Sequence, residues 1–548
     1  MVLRPLLAVL VLLLTGCAGP LDDGGEPAAD EDAVVVPDPT LPGNRTFQRY
    51  EYDFGVMVVD DPTLVPYRYS VPLHGSLHLP DGAGAAPLVV LLHGRHGTCA
   101  VLGAEIIGPG TCPNAMVVTP VNSYTGYDYI AENLASHGYA VASVDANTIN
   151  DRDLVGDAGA NARGQLLLRT LDEFTRVNAT GASSSDVPGV PTLLPRSEVP
   201  QAQDRIDVSR VGLMGHSRGG EGVARAVSLD IDSASGMHGL DAIFALAPTD
   251  FARWPVAGVP FATLLPYCDG DVYNLQGAWM YDDARRLEPV APRHQVLAMG
   301  ANHNFYNTVW TGDDWGTTEA WCGSEVNDSG RDTPEQQRAH GLGLMASFFR
   351  LYVGGEQEFA PLWDGTVAWP DTMCPEFDSC DGRLYASHMP VSHLDLAANG
   401  VPPVQERLKP AACEPADCPA QPTYGTAAQA SWDCHGSGTA TFATPDGIEG
   451  WTALSVRVGN QQPGNPLHVT PALVGSSAVL PALTSHAAPG DIPFPPRPGD
   501  PDSEPGAKTV LSEVRFSFPA DADLAAVTAI EIRCDGDGGI QVADIMLV

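Results

Sequence analysis

Apolar and polar positions follow one pattern up to about residue 355 and another after it. Short, mostly apolar runs are typical of buried parallel strands, and they occur at residues 87–92, 139–144, 210–214, 242–246, 261–265 and 295–299, the first of them continuously apolar. Helical spacing occurs at residues 127–137, 162–176, 219–228 and 336–352. Alternating strands and helices with short connections predict an α/β fold over residues 45–355, a mostly parallel sheet covered by helices on both faces.

The pattern changes in two steps beyond this region. Residues 356–424 carry four cysteines and many prolines without sustained periodicity, which indicates a connector or a set of surface loops. From residue 425 onward, short alternating runs replace helical spacing, at 454–458, 514–518, 529–533 and 540–545. Turn residues separate these runs, so residues 425–548 are predicted to form a β-sandwich.

The first residues have the character of an export signal. Arg4 precedes an apolar run at 6–14 that is too short to span a bilayer and suits a signal-peptide core. The run ends in Leu-Thr-Gly-Cys17, which looks like a bacterial lipoprotein signal over residues 1–16, with Cys17 acylated as the new N-terminus. The alternative is an ordinary secretory signal that contains a cysteine. We therefore expect a membrane-anchored lipoprotein of the bacterial cell envelope, facing the periplasm or the exterior.

Residues 17–44 are acidic and rich in glycine and proline, which is typical of a flexible tether. The whole chain is acidic as well, with 67 Asp and Glu against 29 Lys and Arg, for a formal charge of −38. Such a surface repels phosphate backbones, so nucleic acid is excluded as an expected partner.

Cysteine usage agrees with export. Eleven cysteines occur, and setting Cys17 aside leaves ten, an even number that favours disulfides in an exported chain. The sequence does not fix the connectivity, but neighbouring positions suggest Cys99 with Cys112, Cys268 with Cys322, Cys374 with Cys380, Cys413 with Cys418, and Cys434 with Cys534. A structural zinc site is not expected, because no Cys-x2-Cys pair occurs in the sequence.

The segment RVGLMGHSRGG at residues 210–220 carries the main candidate for chemistry. Ser217 lies between an apolar strand and the start of a helix, and Gly215 and Gly219 flank it. This arrangement predicts a tight turn that exposes the serine hydroxyl at the carboxyl edge of the sheet, where ligands bind in open α/β folds.

A nucleophilic serine needs a histidine to take its proton and a carboxylate to orient that histidine. In this fold the order along the chain is serine, acid, histidine. Asp271 follows the strand at 261–265, with Asp269 as its nearest competitor, and His303 follows the strand at 295–299. The predicted triad is therefore Ser217, Asp271 and His303.

The negative charge of a tetrahedral intermediate needs backbone N–H donors. The N–H of Arg218 is one candidate, and the N–H of Arg95, in the turn at 93–97, is the other. His93 and His96 in this turn raise the alternative of a metal site, but no carboxylate cluster accompanies them, and we expect no metal.

Three stretches, at 135–148, 161–167 and 204–217, closely resemble bacterial cutinases and related polyester hydrolases. These belong to the α/β-hydrolase superfamily, together with platelet-activating-factor acetylhydrolases and chlorophyllases, whose elbow also reads GHSRGG. The resemblance covers roughly residues 75–350. It implies the same triad and oxyanion residues, and hydrolysis of a carboxylic ester through an acyl-enzyme without metal or organic cofactor.

Three positions depart from the pattern of that family. Cutinases of this type usually carry an aromatic residue at the position of Arg95, a methionine at Arg218 and a tryptophan at Thr249. Losing these apolar groups argues against polyester cleavage. The two arginines could favour substrates that carry a carboxylate or phosphate, or could point away into salt bridges with Glu221 or Asp250.

Two other functions are compatible with the sequence. The same triad cleaves amides in serine peptidases. A non-catalytic lipoprotein that binds carbohydrate or a cell surface is the other alternative. The last strands look like a galactose-binding-type sandwich, which would either bind such a ligand or serve only to pack against the hydrolase.

Overall fold

The computed structural model describes the chain from Val35 to Val548 with internal gaps. The residues left out within that range are 60–67, 83, 103, 107–111, 113–117, 154–156, 183–198, 234–237, 255, 285–286, 288–289, 315–321, 323–329, 397–431, 436–437, 446, 461–466, 481–482, 486–510 and 537–538. The predicted signal, Cys17 and most of the tether therefore lie outside the described residues.

Most strands up to residue 395 belong to one large sheet, and three short ones form a small sheet of their own. The strands are β1 (Phe47–Val59), β2 (Tyr69–Pro80), β3 (Ala86–Leu92), β4 (Cys99–Val101), β5 (Ala104–Ile106), β6 (Val118–Pro120), β7 (Ala140–Val144), β8 (Ile206–His216), β9 (Leu240–Leu246), β10 (Phe261–Pro266), β11 (Arg293–Ala298), β12 (Leu384–Met389) and β13 (Leu394–Asp395). Nine of them form a sheet in the order β1-β2-β7-β3-β8-β9-β10-β11-β12. Its centre, from β7 to β11, is parallel, while β1, β2 and β12 run antiparallel to their neighbours.

Helices follow most of the parallel strands. They are α1 (Asp128–His137), α2 (Asn147–Asn150), α3 (Ala160–Thr180), α4 (Arg218–Asp232), α5 (Gly277–Ala284), α6 (Pro334–Tyr352) and α7 (Ala360–Trp363). Local signals set their ends: α1 stops at Gly138, which takes a left-handed conformation, and α6 begins with a capping box between Thr333 and Gln336.

Both faces of the sheet are buried, as the apolar runs predict. In β3, Leu88, Val90 and Leu92 belong to one buried cluster together with residues of α3 and α4. Val89 and Leu91 belong to a second cluster with residues of α1 and α6. Because strand side chains alternate between faces, a run without polar positions places apolar groups on both sides.

Every strand and helix predicted before residue 355 is present, with bounds shifted by a few residues. The antiparallel pair β1 and β2 was not predicted. The sheet also runs beyond the expected boundary at residue 355, because β12 pairs with β11 in antiparallel register, from Arg293 opposite Met389 to Ala298 opposite Leu384. Part of the expected connector is thus the edge strand of the sheet.

Two antiparallel sheets follow. Their strands are β14 (Trp432–His435), β15 (Gly438–Ala443), β16 (Ala453–Asn460), β17 (Leu467–Val474), β18 (Leu483–Ser485), β19 (Ser512–Ser517), β20 (Ala529–Gly536) and β21 (Gly539–Leu547). One sheet contains β13, β21, β16 and β19, with β14 beside β21, and the other has the order β15-β20-β17-β18. Leu454 and Val456 of the first sheet share a buried apolar cluster with Ile530 and Ile532 of the second.

The C-terminal sheets pack against the N-terminal region through buried polar contacts. Arg457 of β16 is 1% exposed, and its guanidinium donates to Asp282 of α5 and to Asp544 of β21, at 2.8 Å each. It also lies over the ring of Tyr281, 4.8 Å from the centroid. A charge buried this deeply requires its partners, so the contact fixes how the two regions meet.

Three of the predicted disulfides are confirmed: Cys99–Cys112, Cys268–Cys322 and Cys374–Cys380. The predicted pair Cys413–Cys418 lies outside the described residues, and so do the side chains of Cys434 and Cys534. Among the described helices, we find none with the length and apolar character that crossing a bilayer requires.

Candidate active site

Ser217 occupies a strained turn between β8 and α4. Its backbone has φ 57° and ψ −125°, a conformation that costs a non-glycine residue on the order of 1–3 kcal/mol. Hydrogen bonds hold it there: the N–H of Ser217 donates to Leu246 O at 2.9 Å, and its carbonyl accepts from Gly220 at 2.9 Å and from Thr249 at 3.2 Å. This geometry fits the nucleophile elbow that the sequence predicts.

The glycines beside Ser217 are needed for space. A Cβ on Gly215 would lie 2.0 Å from the carbonyl oxygen of Gly219, and a Cβ on Gly219 would lie 2.6 Å from that of Leu92. Backbone atoms cannot yield at such distances, so the turn accepts no larger residue at either position.

His303 lies in the loop that follows β11 and is 2% exposed. Its Nδ1 is 2.8 Å from Oδ2 of Asp269, which is fully buried. The other oxygen of Asp269 accepts from the N–H groups of Asp271, at 2.9 Å, and Val272, at 2.6 Å. The carboxylate of Asp269 is therefore held rigidly against the ring, as an orienting acid has to be.

Asp271, the residue predicted for the orienting role, lies on the other side of the His303 ring. Its side chain is 62% exposed, and its Oδ2 is 3.6 Å from Nε2 of His303, the nitrogen on the opposite side of the ring from Asp269. The expected orienting role of Asp271 does not fit this geometry. The competing candidate, Asp269, has the position and the burial that the role requires.

Asp314 connects the loops that carry the acid and the histidine. Its two carboxylate oxygens accept from the N–H of Gly270, at 2.6 Å, and from the N–H of Asn304, at 3.1 Å. Burial, followed by the charge of Asp269, raises the pKa of Asp314 to about 6. Sequence reasoning missed this residue, because an aspartate in a loop has no distinguishing pattern.

The carboxylates around His303 control its protonation. Burial by itself lowers the pKa of His303, but the charge of Asp269 and its hydrogen bond, with Asp271 and Asp314 nearby, raise that pKa to about 9. Within the described part of the chain, Nε2 has no hydrogen-bond partner. Among the contacts described, Nδ1 of His303 is thus used by Asp269, while Nε2 keeps its hydrogen-bonding capacity.

The turn after β3 touches the elbow. A Cβ on Gly94 would lie 2.4 Å from Cβ of Ser217, so the turn that presents Arg95 packs directly against the candidate nucleophile. His93 accepts from Ala146 N–H through Nε2, at 2.8 Å, and its Nδ1 is 2.8 Å from Gly94 O. Both ring nitrogens of His93 thus have backbone partners, one within the turn and one in the loop after β7.

The side chains of Arg95 and Arg218 meet at one buried carboxylate. Arg95 Nε and Arg218 Nη1 each lie 3.0 Å from Oδ1 of Asp153, and Arg163 Nη2 lies 2.7 Å from its Oδ2. The salt bridges that the sequence left open therefore exist, but their partner is Asp153. Glu221 instead accepts from Thr249 Oγ1, and Asp250 pairs with Arg253.

A cavity of about 220 Å³ opens beside Ser217. Its lining residues are Arg95, Ser217, Arg218, Thr249, Phe251, Asp271, Val272, Tyr273, Asn274 and Gln276. The cavity thus brings together the predicted nucleophile, Asp271 and the two arginines at which the sequence departs from cutinases.

No protein-family model matches the chain. The chain is 30% identical to bis(hydroxyethyl) terephthalate hydrolase of Streptomyces coelicolor over 162 residues, which are 29% of this chain and 39% of that protein. It is 30% identical to cutinase est1 of Thermobifida alba over 168 residues, 27% of this chain and 47% of that protein. Cutinase 2 of Thermobifida cellulosilytica is 29% identical over 168 residues, 27% of this chain and 53% of that protein.

The matched residues thus span between 39% and 53% of the length of these relatives. Their similarity implies the α/β-hydrolase fold, and the large mixed sheet with helices on both faces agrees with it.

Proposed function

We propose that the protein is a serine hydrolase that cleaves carboxylic esters through an acyl-enzyme. The observation that carries this proposal is the strained Ser217 elbow in the same loop cluster as the buried pair of His303 and Asp269. The ring of His303 is 4.8 Å from that of His216, the residue preceding Ser217. Similarity to enzymes named cutinases and to a terephthalate ester hydrolase favours esters over peptide amides as substrates.

In the proposed reaction, Ser217 Oγ attacks the carbonyl carbon of the ester while its proton moves to Nε2 of His303. Asp269 stabilises the imidazolium that forms. The N–H groups of Arg218 and Arg95 would donate to the oxyanion, and as the first residue of α4 Arg218 has no acceptor within its own helix. The alcohol leaves with the proton from Nε2, and water then releases the acid by the same steps.

A fluorophosphonate probe tests the nucleophile. We expect the probe to label Ser217, and the purified protein to hydrolyse p-nitrophenyl esters at a rate that Ser217→Ala reduces at least a thousandfold. Absence of both labelling and hydrolysis would refute the proposal. Activity on peptide amides alone would favour the serine peptidase alternative.

We also propose that the protein works outside the cytoplasm, attached to the cell envelope by a lipid on Cys17. The three disulfides support an oxidising compartment. Expressed in its bacterial host, the full chain should enter the detergent phase of a Triton X-114 separation, and Cys17→Ala should move it to the aqueous phase. A wild-type chain found in the aqueous phase would contradict the anchor.

We infer that the two C-terminal sheets form a β-sandwich whose function includes packing against the hydrolase. Arg457 carries this inference, because its buried charge depends on a carboxylate from each side. A carbohydrate or cell-surface ligand for this module stays a prediction.

A further inference from the structure

Beside the cavity at Ser217, more positive charge surrounds Asp153 than this one carboxylate balances. Three guanidinium groups, of Arg95, Arg163 and Arg218, contact the single carboxylate of Asp153. One carboxylate balances one guanidinium. Arg163 is fully buried and also donates to Asn150 and to a backbone carbonyl, so its role in the fold is already accounted for.

Arg95 and Arg218 have donors to spare. Arg95 uses Nε for Asp153, and Arg218 uses Nη1 for the side chain and the backbone carbonyl of the same residue. The remaining N–H groups of both guanidiniums make no hydrogen bond in the described part of the chain. The two side chains are 24% and 18% exposed, and both line the cavity that contains Ser217.

The crowding of like charges has a direct effect on Arg218. Burial lowers its pKa, Asp153 opposes this, and Arg163 and Arg95 lower it further. An anion placed between Arg95 and Arg218 would relieve this repulsion. A carboxylate fits the remaining donors well, since guanidinium and carboxylate groups form paired, charge-assisted hydrogen bonds.

Asp271 is the opposing charge in the cavity. Its side chain is 62% exposed, so water screens it strongly, whereas the two arginines are held against a buried carboxylate. Attraction by the arginines is therefore expected to exceed repulsion by Asp271 for a group bound between them.

We propose that Arg95 and Arg218 bind a carboxylate of the substrate, so that the preferred substrates are esters that retain a free carboxylate, such as half-esters of dicarboxylic acids. This inference rests on the proposed esterase function and names its substrate class. It gives a physical role to Arg95 and Arg218, the two positions at which cutinases usually carry an aromatic residue and a methionine.

Two matched esters test the proposal: benzyl hydrogen succinate, and benzyl 4-methylpentanoate, in which an isopropyl group of similar shape replaces the carboxylate. Release of benzyl alcohol gives kcat/KM for each. For the wild-type protein we expect kcat/KM to be at least tenfold higher for the half-ester, and this ratio to decrease as NaCl is added.

The variants Arg95→Gln and Arg218→Gln should each lower the ratio of the two kcat/KM values by roughly tenfold or more, because each removes a charge-assisted contact. Arg225→Gln is the matched control. Arg225 lies two turns further along α4, over the ring of Trp254 and outside the cavity lining, so the ratio should not change.

The outcomes separate the two proposals. If both esters are hydrolysed at equal rates in a Ser217-dependent manner, the carboxylate site is refuted and the esterase function stands. If neither ester is hydrolysed and Ser217 is not labelled, the esterase function itself fails. An equal loss of ratio in Arg225→Gln would refute the assignment to this cavity, and stronger inhibition by methyl phosphate than by propionate would refute carboxylate as the bound group.

Discussion

At the scale of single residues, two carboxylates two positions apart have opposite environments. Asp269 is buried and accepts three hydrogen bonds, one of them involving Nδ1 of His303. Asp271 points into water near Nε2. Only a fixed, desolvated carboxylate can hold the imidazole in one tautomer, so the structure favours Asp269 as the orienting group.

Substituting each aspartate in turn tests this assignment. Asp269→Asn should lower kcat by roughly 10³–10⁴-fold, because the amide favours the wrong tautomer of His303. Asp271→Asn should cost less than about tenfold, since its contact is exposed. The measurement is kcat on a p-nitrophenyl ester, with folding monitored by circular dichroism. A larger loss for Asp271→Asn would return the role to Asp271.

The protonation of His303 predicts an alkaline pH profile. A base must be neutral to accept the proton of Ser217, and the pKa of His303 is raised to about 9. Below pH 9 the ring is mostly charged, so kcat/KM should rise about tenfold per pH unit and level off near pH 9. A pH-stat assay on a stable alkyl ester measures this profile.

Asp271→Asn is the matched variant for the same measurement. It removes a negative charge 3.6 Å from Nε2, so the midpoint of the profile should move to lower pH. A wild-type profile that already levels off at pH 7 would contradict the assignment of this pKa.

At the scale of elements, two loops carry Asp269 and His303, and we call them the active loops. A disulfide and a carboxylate outside the sheet hold them in place. Cys268 directly precedes Asp269, and its disulfide to Cys322 closes a loop with a sequence separation of 54. Asp314, within that loop, accepts hydrogen bonds from both active loops. The disulfide therefore restrains the position of the acid as well as the unfolded chain.

Removing this disulfide should affect both stability and activity. The chain-entropy relation gives a loss of about 4 kcal/mol in the free energy of unfolding for Cys268→Ser with Cys322→Ser. The control, Cys374→Ser with Cys380→Ser, opens a loop with a separation of only 6 and should cost about 2 kcal/mol. Urea unfolding and kcat are measured on both.

The control disulfide is distant in sequence from both active loops. We therefore expect kcat to decrease mainly in the double variant that lacks Cys268–Cys322. Equal effects of the two pairs on kcat would argue against a role for Cys268–Cys322 in positioning the acid.

At the scale of the whole molecule, the C-terminal sheets and the region of the large sheet share buried contacts. Arg457 lies between Asp282 and Asp544, and the side chain of Gln295, in β11 of the large sheet, donates to Leu511 O at 3.0 Å. The N–H of Glu513 in β19 donates to Ser387 Oγ of β12 at 3.1 Å. Such contacts favour cooperative unfolding of the two regions.

Arg457→Ala tests this cooperation. The substitution leaves two carboxylates without their shared cation, so the free energy of unfolding should fall by about 3–5 kcal/mol. Arg533→Ala, which removes an exposed cation paired with Glu531, should change it by less than about 1 kcal/mol. Calorimetry should show a single unfolding transition, and its midpoint temperature should be lower in Arg457→Ala than in the wild type. Two independent transitions in the wild type would contradict the coupling.

Sequence alone determined the strands and helices around the site. A strand buried on two faces leaves an apolar run, and a helix buried on one face leaves apolar residues at helical spacing. Apolar runs located β3, β8, β10 and β11, and the order of motifs located Ser217 and His303 at strand ends. Three disulfides also followed from neighbouring positions. The pair β1 and β2 was not predicted, since polar residues interrupt the apolar positions of both strands.

Tertiary structure decided what local pattern does not encode. Asp269 and Asp271 have the same chemistry and nearly the same place in the sequence, and only the path of their loop buries one of them. Three separate loops or helix ends carry Asp153, Arg95 and Arg218. Their spacing in the sequence therefore does not predict that these side chains are in contact. Which charges face each other beside Ser217 depends on how the chain folds back, and that is a property of the packed molecule.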